Sequence, residues 1–444
     1  MYSATKFTRA LALGWLLGLL SLACGQSTGT AGQGGSTGES SGSSPTSSAP
    51  DDAGTSGSPV GSGAGSSVAS GSSNGTSSTG SSSVGTTSSD ASSSGSSGSA
   101  ATVDGAVMDS GCEPSDGGAV TATIDNTGPW NDTSGTHIQA HGGGFIKVCD
   151  TWYWFGEDKA LNTNGTGNFH AISCYASKDL THWEHRNKVV TTSTASILNN
   201  PNLIIERPKV IYNDSTKLYV MWAHWDMESC PGASGGYCDS ETVVFTSPTV
   251  DGNYMYVGHF QPQGDGSRDC TLWQEPDGTA YFVSTGGPGG NAAGDFRDTE
   301  VYQLSSDYLT VKSATKIWAS DTREAYAFWK FNGRYYGISS AQTGWAPNQA
   351  AYLTSTGTLQ GPWNNNFTPV GANNSTWSSQ PTYVIPIVGT QTTTYIYASD
   401  IWNSGNLSQS TYLWLPFTFD GTTWHLSYSA QWSVDLATGT VTTH

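Results

Sequence analysis

From Gly144 onward the chain carries short runs of aromatic and β-branched residues, broken by Gly, Asn and Asp. Gly144-Phe145-Ile146-Lys147-Val148 and Trp152-Tyr153-Trp154-Phe155 flank Cys149-Asp150-Thr151, which predicts two strands joined by a tight hairpin turn. The figure recurs. Val210-Ile211-Tyr212 pairs with Leu218 to Trp222 across Asn213 to Thr216, and Cys270 to Gln274 with Ala280 to Val283 across Pro276-Asp277-Gly278. Ala327 to Phe331 pairs with Tyr335 to Ile338 across Asn332-Gly333, and Thr382 to Ile387 with Thr394 to Ala398 across Gly389 to Thr392. Further strand pattern trails each hairpin, so each unit has about the length of four strands with their loops. Helix signals are scarce. The expected fold is all-β, a five-bladed β-propeller over residues 119–444.

Ahead of that region the pattern vanishes. Residues 25–118 are Ser, Gly, Thr and Ala with scattered Asp and no aromatic residue. Such a stretch cannot bury enough apolar surface to offset the entropy of ordering it, and it reads as a disordered linker. Residues 1–24 read as an export signal: Lys6 and Arg9 precede an apolar run too short for a membrane span. The run ends Leu20-Ser21-Leu22-Ala23-Cys24, which resembles a lipoprotein signal with Cys24 lipidated; the other reading is an ordinary signal cut near Ala23. Localisation at the cell surface or outside the cell is expected, with membrane contact only through a lipid on Cys24.

Composition changes this picture in two respects. All but one of the 17 Trp lie after the linker, enough aromatic mass for a large core. The formal charge of −18 argues against nucleic acid or an acidic polymer as ligand. Apart from Cys24 there remain Cys112, Cys149, Cys174, Cys230, Cys238 and Cys270. Export permits oxidation. Cys230 with Cys238 is the expected bridge, Cys149 with Cys174 a second, and free thiols are the alternative for Cys112 and Cys270. No metal-ligand spacing occurs, so no metal site is expected.

The candidate chemistry lies at the strand ends. Glu157, Glu206, Asp269, Glu324 and Gln380 recur at intervals of roughly 50 to 60 residues, about one per unit, as radial repetition would require of groups facing one centre. Acids crowded in one pocket raise the pKa of at least one of them, which suits a general acid near neutral pH. Acids with Trp rings, and no Ser-His or Cys-His signature, point to glycoside hydrolysis. Calcium binding and salt bridging between blades are the alternatives. Arg207, Arg268 and Arg323 each adjoin an acid and are expected on the opposite strand face.

Ile205-Glu206-Arg207-Pro208-Lys209-Val210-Ile211-Tyr212-Asn213, Ser267-Arg268-Asp269-Cys270-Thr271-Leu272, Arg323-Glu324-Ala325-Tyr326-Ala327 and Thr343-Gly344-Trp345-Ala346-Pro347-Asn348 follow in an order that resembles glycoside hydrolase family 43. Ala140-His141-Gly142-Gly143-Gly144 with Trp152 to Asp158 resembles its exo-β-1,3-galactanases, subfamily 24. The resemblance spans residues 137–444. It implies an inverting hydrolase that releases galactose from β-1,3-galactan, with Glu324 as general acid and Asp269 as the carboxylate that raises its pKa. It implies Gln380 as the group that positions or activates water, because the usual first-blade Asp is absent around His141-Gly142-Gly143. Glu157, Glu206 and Tyr237 would grip the terminal sugar. A monomer is expected, and no cofactor is required, with a structural calcium at the propeller axis left open. Tyr326, where the family has Pro, and Ser339-Ser340-Ala341-Gln342 depart from the pattern. The alternatives are a family 43 α-L-arabinofuranosidase or β-xylosidase, or a non-catalytic glycan-binding propeller.

Overall fold

The computed structural model describes residues 120–229, 236–287, 298–318, 322–364, 366–371 and 374–444. The expected signal with Cys24, the expected linker, Cys112 and Cys230 lie outside these residues. Among the described residues every long element is a strand, and the only helices are short 3-10 turns.

Five antiparallel sheets follow one another along the chain, each in simple meander order. Sheet I holds β2 (His141–Val148), β3 (Thr151–Asp158), β4 (Ala171–Ser177) and β5 (Glu184–Thr191). Sheet II holds β6 (Leu203–Asn213), β7 (Leu218–Met227), β8 (Glu241–Ser247) and β9 (Met255–Phe260). Sheet III holds β10 (Gly266–Gln274), β11 (Ala280–Gly287), β12 (Asp298–Leu304) and β13 (Val311–Trp318). Sheet IV holds β14 (Arg323–Phe331), β15 (Arg334–Ala341), β16 (Ala351–Thr358) and β17 (Gly361–Trp363), with β18 (Thr368–Pro369) on β16. Sheet V holds β19 (Gln380–Val388), β20 (Thr393–Ile401), β21 (Thr411–Phe419) and β22 (Trp424–Leu426). The five expected hairpins are the first two strands of each sheet. The Asn332-Gly333 turn has φ of 49° and 73°, both positive as a two-residue hairpin turn requires.

The first strands touch in a closed cycle: β2 on β6, β6 on β10, β10 on β14, β14 on β19, and β19 back on β2. Aromatic rings fill the wedges between sheets. Trp222 lies 4.7 Å from Phe282 between sheets II and III, and Trp329 lies 5.0 Å from Phe417 between sheets IV and V. Trp154 and Trp414, 5.1 Å apart, join sheets I and V. Each such pair contributes about 0.5–1.5 kcal/mol beyond its burial.

The gap between sheets V and I is sealed by both ends of the domain. β1 (Thr121–Asp125) pairs with β23 (Gln431–Asp435), which pairs with β24 (Val441–Thr443). Ala122, Ile124, Trp432 and Val434 enter the core shared by sheets I and V. The indole of Trp432 donates to the Trp414 carbonyl at 2.8 Å.

One expected bridge is overturned. Cys174 is a free buried thiol, while Cys149 is disulfide-bonded. Cys174 stands opposite Phe155 in mid-strand and points into the core shared with sheet II, whereas Cys149 sits in the turn beyond the strand end. Cys238 is disulfide-bonded and Cys270 is a free thiol.

Candidate active site

Every one of the five first strands slips register by one residue near its start. The shifts fall between His141 and Gly144, Glu206 and Lys209, Ser267 and Cys270, Glu324 and Ala327, and Pro381 and Tyr383. Such bulges break the alternation of side chains and re-aim them. Gly142, Arg207 and Ala325, each at a bulge, have left-handed φ of 58°, 54° and 59°. The expectation that Arg207 turns away from the pocket fails for this reason: the bulge brings it inside, where it is buried.

Arg207 joins residues from four sheets. Its backbone N–H donates to Glu157 Oε1 at 2.9 Å, and its Nε pairs with Asp269 Oδ2 at 2.8 Å. Its Nη2 donates to Gln380 Oε1 at 2.6 Å, and its Nη1 to the Pro381 carbonyl at 3.0 Å. Gln380 Oε1 also accepts the Trp402 indole N–H at 2.9 Å. Guanidinium and indole can only donate, so the amide oxygen must face them. The amide nitrogen then donates to Glu324 Oε1 at 3.2 Å and Ser340 Oγ at 3.0 Å.

Charges in this pocket are graded. Burial, then the Asp269 carboxylate, raise Glu324 to about 8, against the pull of Arg207. Glu157 is also raised by burial, although Lys159 Nζ lies 2.8 Å from Oε2. Glu206, as deeply buried, is lowered by His224 and Lys159 and accepts the Tyr237 hydroxyl at 3.0 Å. Burial opposes protonation of His224, but Asp226 at 3.1 Å and Glu206 at 3.3 Å outweigh it and raise it to about 9. Glu324 is thus shifted toward the protonated acid while the neighbouring Glu206 is shifted toward the carboxylate.

All six expected residues meet in this network. Lys159, His224, Asp226 and Trp402 were not singled out by the sequence, Arg207 was expected on the opposite strand face, and Ser340 was noted only as a departure from the family pattern. Arg268 donates to the Tyr237 carbonyl at 2.8 Å, and Arg323 to Ser339 Oγ at 2.8 Å; neither pairs with the acid beside it, as expected. Trp345 and Trp402, half-buried with ring centres 4.7 Å apart, present an aromatic surface beside Gln380.

Gly142 has no room for a side chain. A side chain at Gly142 would overlap Glu157 Oε1 and crowd the Arg207 nitrogen at 3.3 Å. Glu206, His224 and Asp269 offer ligand atoms within 4.8 Å of one another. His224 lies within ion-pair distance of Asp226 and Glu206, and Asp269 is paired to Arg207, so the set fits an ion-pair network better than a divalent cation. A cavity of about 630 Å³ lies at the far ends of the same first strands, lined by Lys147, Tyr212, Glu275, Lys330 and Tyr383, and includes none of the six.

The profile of glycosyl hydrolases family 43 matches residues 150–384. No curated protein matches the chain. Among solved structures, an exo-β-1,3-galactanase from Clostridium thermocellum is 36% identical, with a TM-score of 0.64 over 72% of this chain and 68% of that one. An exo-β-1,3-galactanase from Phanerochaete chrysosporium, crystallised with β-1,3-galactotriose, is 32% identical, with a TM-score of 0.65 over 72% of this chain and 70% of that one. A family 43 β-1,3-galactosidase with galactodeoxynojirimycin is 27% identical, with a TM-score of 0.61 over 69% of this chain and 99% of that one. With the profile spanning more than half of the chain, this protein belongs to glycosyl hydrolase family 43 and is a glycosidase.

Proposed function

We propose that the protein is an exo-acting, inverting hydrolase that releases galactose from β-1,3-galactan, built on a five-bladed propeller whose blades are sheets I to V. The observation that carries the reading is Glu324, held protonated near neutral pH by burial and Asp269 in a pocket that also holds Arg207 and Gln380. Glu324 is the general acid: it gives its proton to the oxygen of the leaving sugar as that bond to the anomeric carbon breaks. Arg207 is placed to stabilise the carboxylate left behind.

Asp269 raises and orients Glu324. Gln380, with its oxygen taken by Arg207 and Trp402, stays an amide and positions the acid and the attacking water; as the water oxygen bonds the anomeric carbon, its proton passes to surrounding solvent, from which Glu324 is reprotonated. Glu157, Glu206 and Tyr237 bind the hydroxyls of the terminal galactose, and Trp345 with Trp402 offers a face for a sugar ring. The galactan ligand of the Phanerochaete relative supports the substrate. The propeller acts as a monomer without a required cofactor, exported behind the residues 1–24 signal and tethered through Cys24 and the 25–118 linker.

Purified protein incubated with β-1,3-galactan, followed by NMR of the released sugar, tests the reading. Free galactose formed first as the α-anomer is expected, and Glu324→Gln should abolish release while retaining binding. Pentose release from arabinan or xylan with none from galactan, or full activity in the variant, would overturn it.

A further inference from the structure

We propose that the turn Thr376-Trp377-Ser378 is a strained mount that holds Gln380 in place, with Trp377 as its positioning residue. This rests on the reading of Glu324 as the acid. The three residues have φ of 48°, 55° and 65° in succession. L-residues enter that region singly and at a cost, and a chain that needs it usually supplies glycine. This chain is rich in glycine, yet it places Thr, Trp and Ser there. The other left-handed residues include Arg207 and Tyr237 in the pocket and Ala325 beside Glu324. Strain of this kind persists only where surrounding contacts impose it, and it gathers where geometry matters to function.

Those contacts are on every side of the turn. Thr376 is buried, and its Oγ1 accepts the Ala350 N–H at 2.7 Å, tying the turn to sheet IV. The Ser379 hydroxyl donates to the Thr376 carbonyl at 2.7 Å and lies 3.1 Å from the Tyr397 hydroxyl of sheet V. Ser375 Oγ accepts the Ser378 N–H at 3.3 Å. The Trp377 indole lies over Gly371 so closely that a Cβ there would come within 3.0 Å of the ring, and its centre is 6.0 Å from the Tyr428 ring. Two residues beyond Ser378, Gln380 opens β19 and reaches across to Glu324. The turn bridges sheets IV and V, the two sheets that carry Glu324 and Gln380. Its rigidity sets the hydrogen bond from the amide to the acid.

The test compares Trp377→Ala, Trp377→Phe and Ser378→Gly with the parent on β-1,3-galactobiose, with kcat, KM and the pH profile measured for each. Trp377→Ala should lower kcat by roughly tenfold to a hundredfold with little change in KM, and Trp377→Phe should recover most of it. An N–H donated to a carboxylate favours the charged form, so a loosened Gln380 lets the pKa of Glu324 rise. The high-pH limb of kcat/KM should therefore move to higher pH in Trp377→Ala, a change that partial unfolding would not produce. Ser378→Gly should raise Tm, because glycine suits that φ, yet lower kcat. The side-chain amide resonances of Gln380, assigned by their loss in Gln380→Glu, should exchange faster in both Trp377→Ala and Ser378→Gly. Parental kcat, pH limb and amide exchange in folded Trp377→Ala and Ser378→Gly would overturn the proposal. Should Trp377→Ala not fold, Ser378→Gly carries the test alone by the same three readouts. A parent protein inactive on galactan would instead sink the functional reading, while the amide exchange still decides whether the turn mounts Gln380.

Discussion

Gly142→Ala offers a sharp test of how the pocket is packed. The methyl group would meet Glu157 Oε1 well inside contact distance, at a residue whose φ is +58°. The backbone component costs about 1–2 kcal/mol for any L-residue there. The larger component comes from Glu157, which must move its carboxylate off Lys159 and off the Arg207 N–H, at 2.8 and 2.9 Å. Breaking a buried, paired charge costs about 3–5 kcal/mol. The sum, about 4–7 kcal/mol, is a large part of a typical domain stability of about 5–15 kcal/mol. Gly333→Ala is the control: its φ is +73°, but nothing lies within 4 Å of the added methyl, so only the backbone component applies. Urea unfolding of both variants, with unchanged m-values, should separate them by at least about 3 kcal/mol. If Gly142→Ala unfolds within about 1 kcal/mol of Gly333→Ala, then Glu157 is not locked against the first bulge.

Asp269→Asn removes a like charge beside Glu324 and frees Arg207 to favour the carboxylate, so the high-pH limb of kcat/KM should fall to lower pH by about one unit; an unmoved limb would contradict the assigned cause. His224, raised to about 9, stabilises the fold fully below its unfolded pKa of 6.5, and this stability is lost as pH rises through about 9. The loss should reach about 3 kcal/mol, read as a drop in urea midpoint from pH 6 to pH 10 that is flattened in His224→Gln. Lys159→Met leaves Glu157 buried without its cation and should destabilise by about 3–5 kcal/mol; a Tm within a degree or two of the parent would count against the pairing.

The five hairpins were legible because turn residues punctuate the aromatic runs, and Asn332-Gly333 or Asp277-Gly278 fix where a strand reverses. Glu157, Glu206, Asp269, Glu324 and Gln380 stood out by their interval, and Tyr237 only through the family resemblance. Their partners did not, and the bulges explain why. Counting back through the Asn213 to Lys217 turn pairs Glu206 with Trp225; the one-residue slip pairs it with His224 instead. The same slip undoes the alternation rule for Arg207. Lys159 follows Glu157 by two residues, and that spacing did carry a signal, since both can share a face. Ser340 reaches Gln380 only through the packing of sheet IV on sheet V, which no local pattern records, whereas Trp402 follows the strand paired with that of Gln380, two residues past Asp400, its register partner. The Cys149–Cys174 expectation failed on register, since proximity of strands says nothing about which residues stand opposite.

The pairing of β1 with β23 also sets an order of events during synthesis. Thr121 finds Asp435 across almost the whole domain, so the first of the described strands to leave the ribosome waits for a partner made almost last. Until Trp432 and Val434 arrive, Ala122 and Ile124 remain an open, apolar edge, the kind of surface that invites association with other chains. The sheets between can each zip as local meanders while that edge waits. Aggregation of the nascent chain should therefore be governed less by the pocket or by any single sheet than by the delay between the two ends of one small terminal sheet.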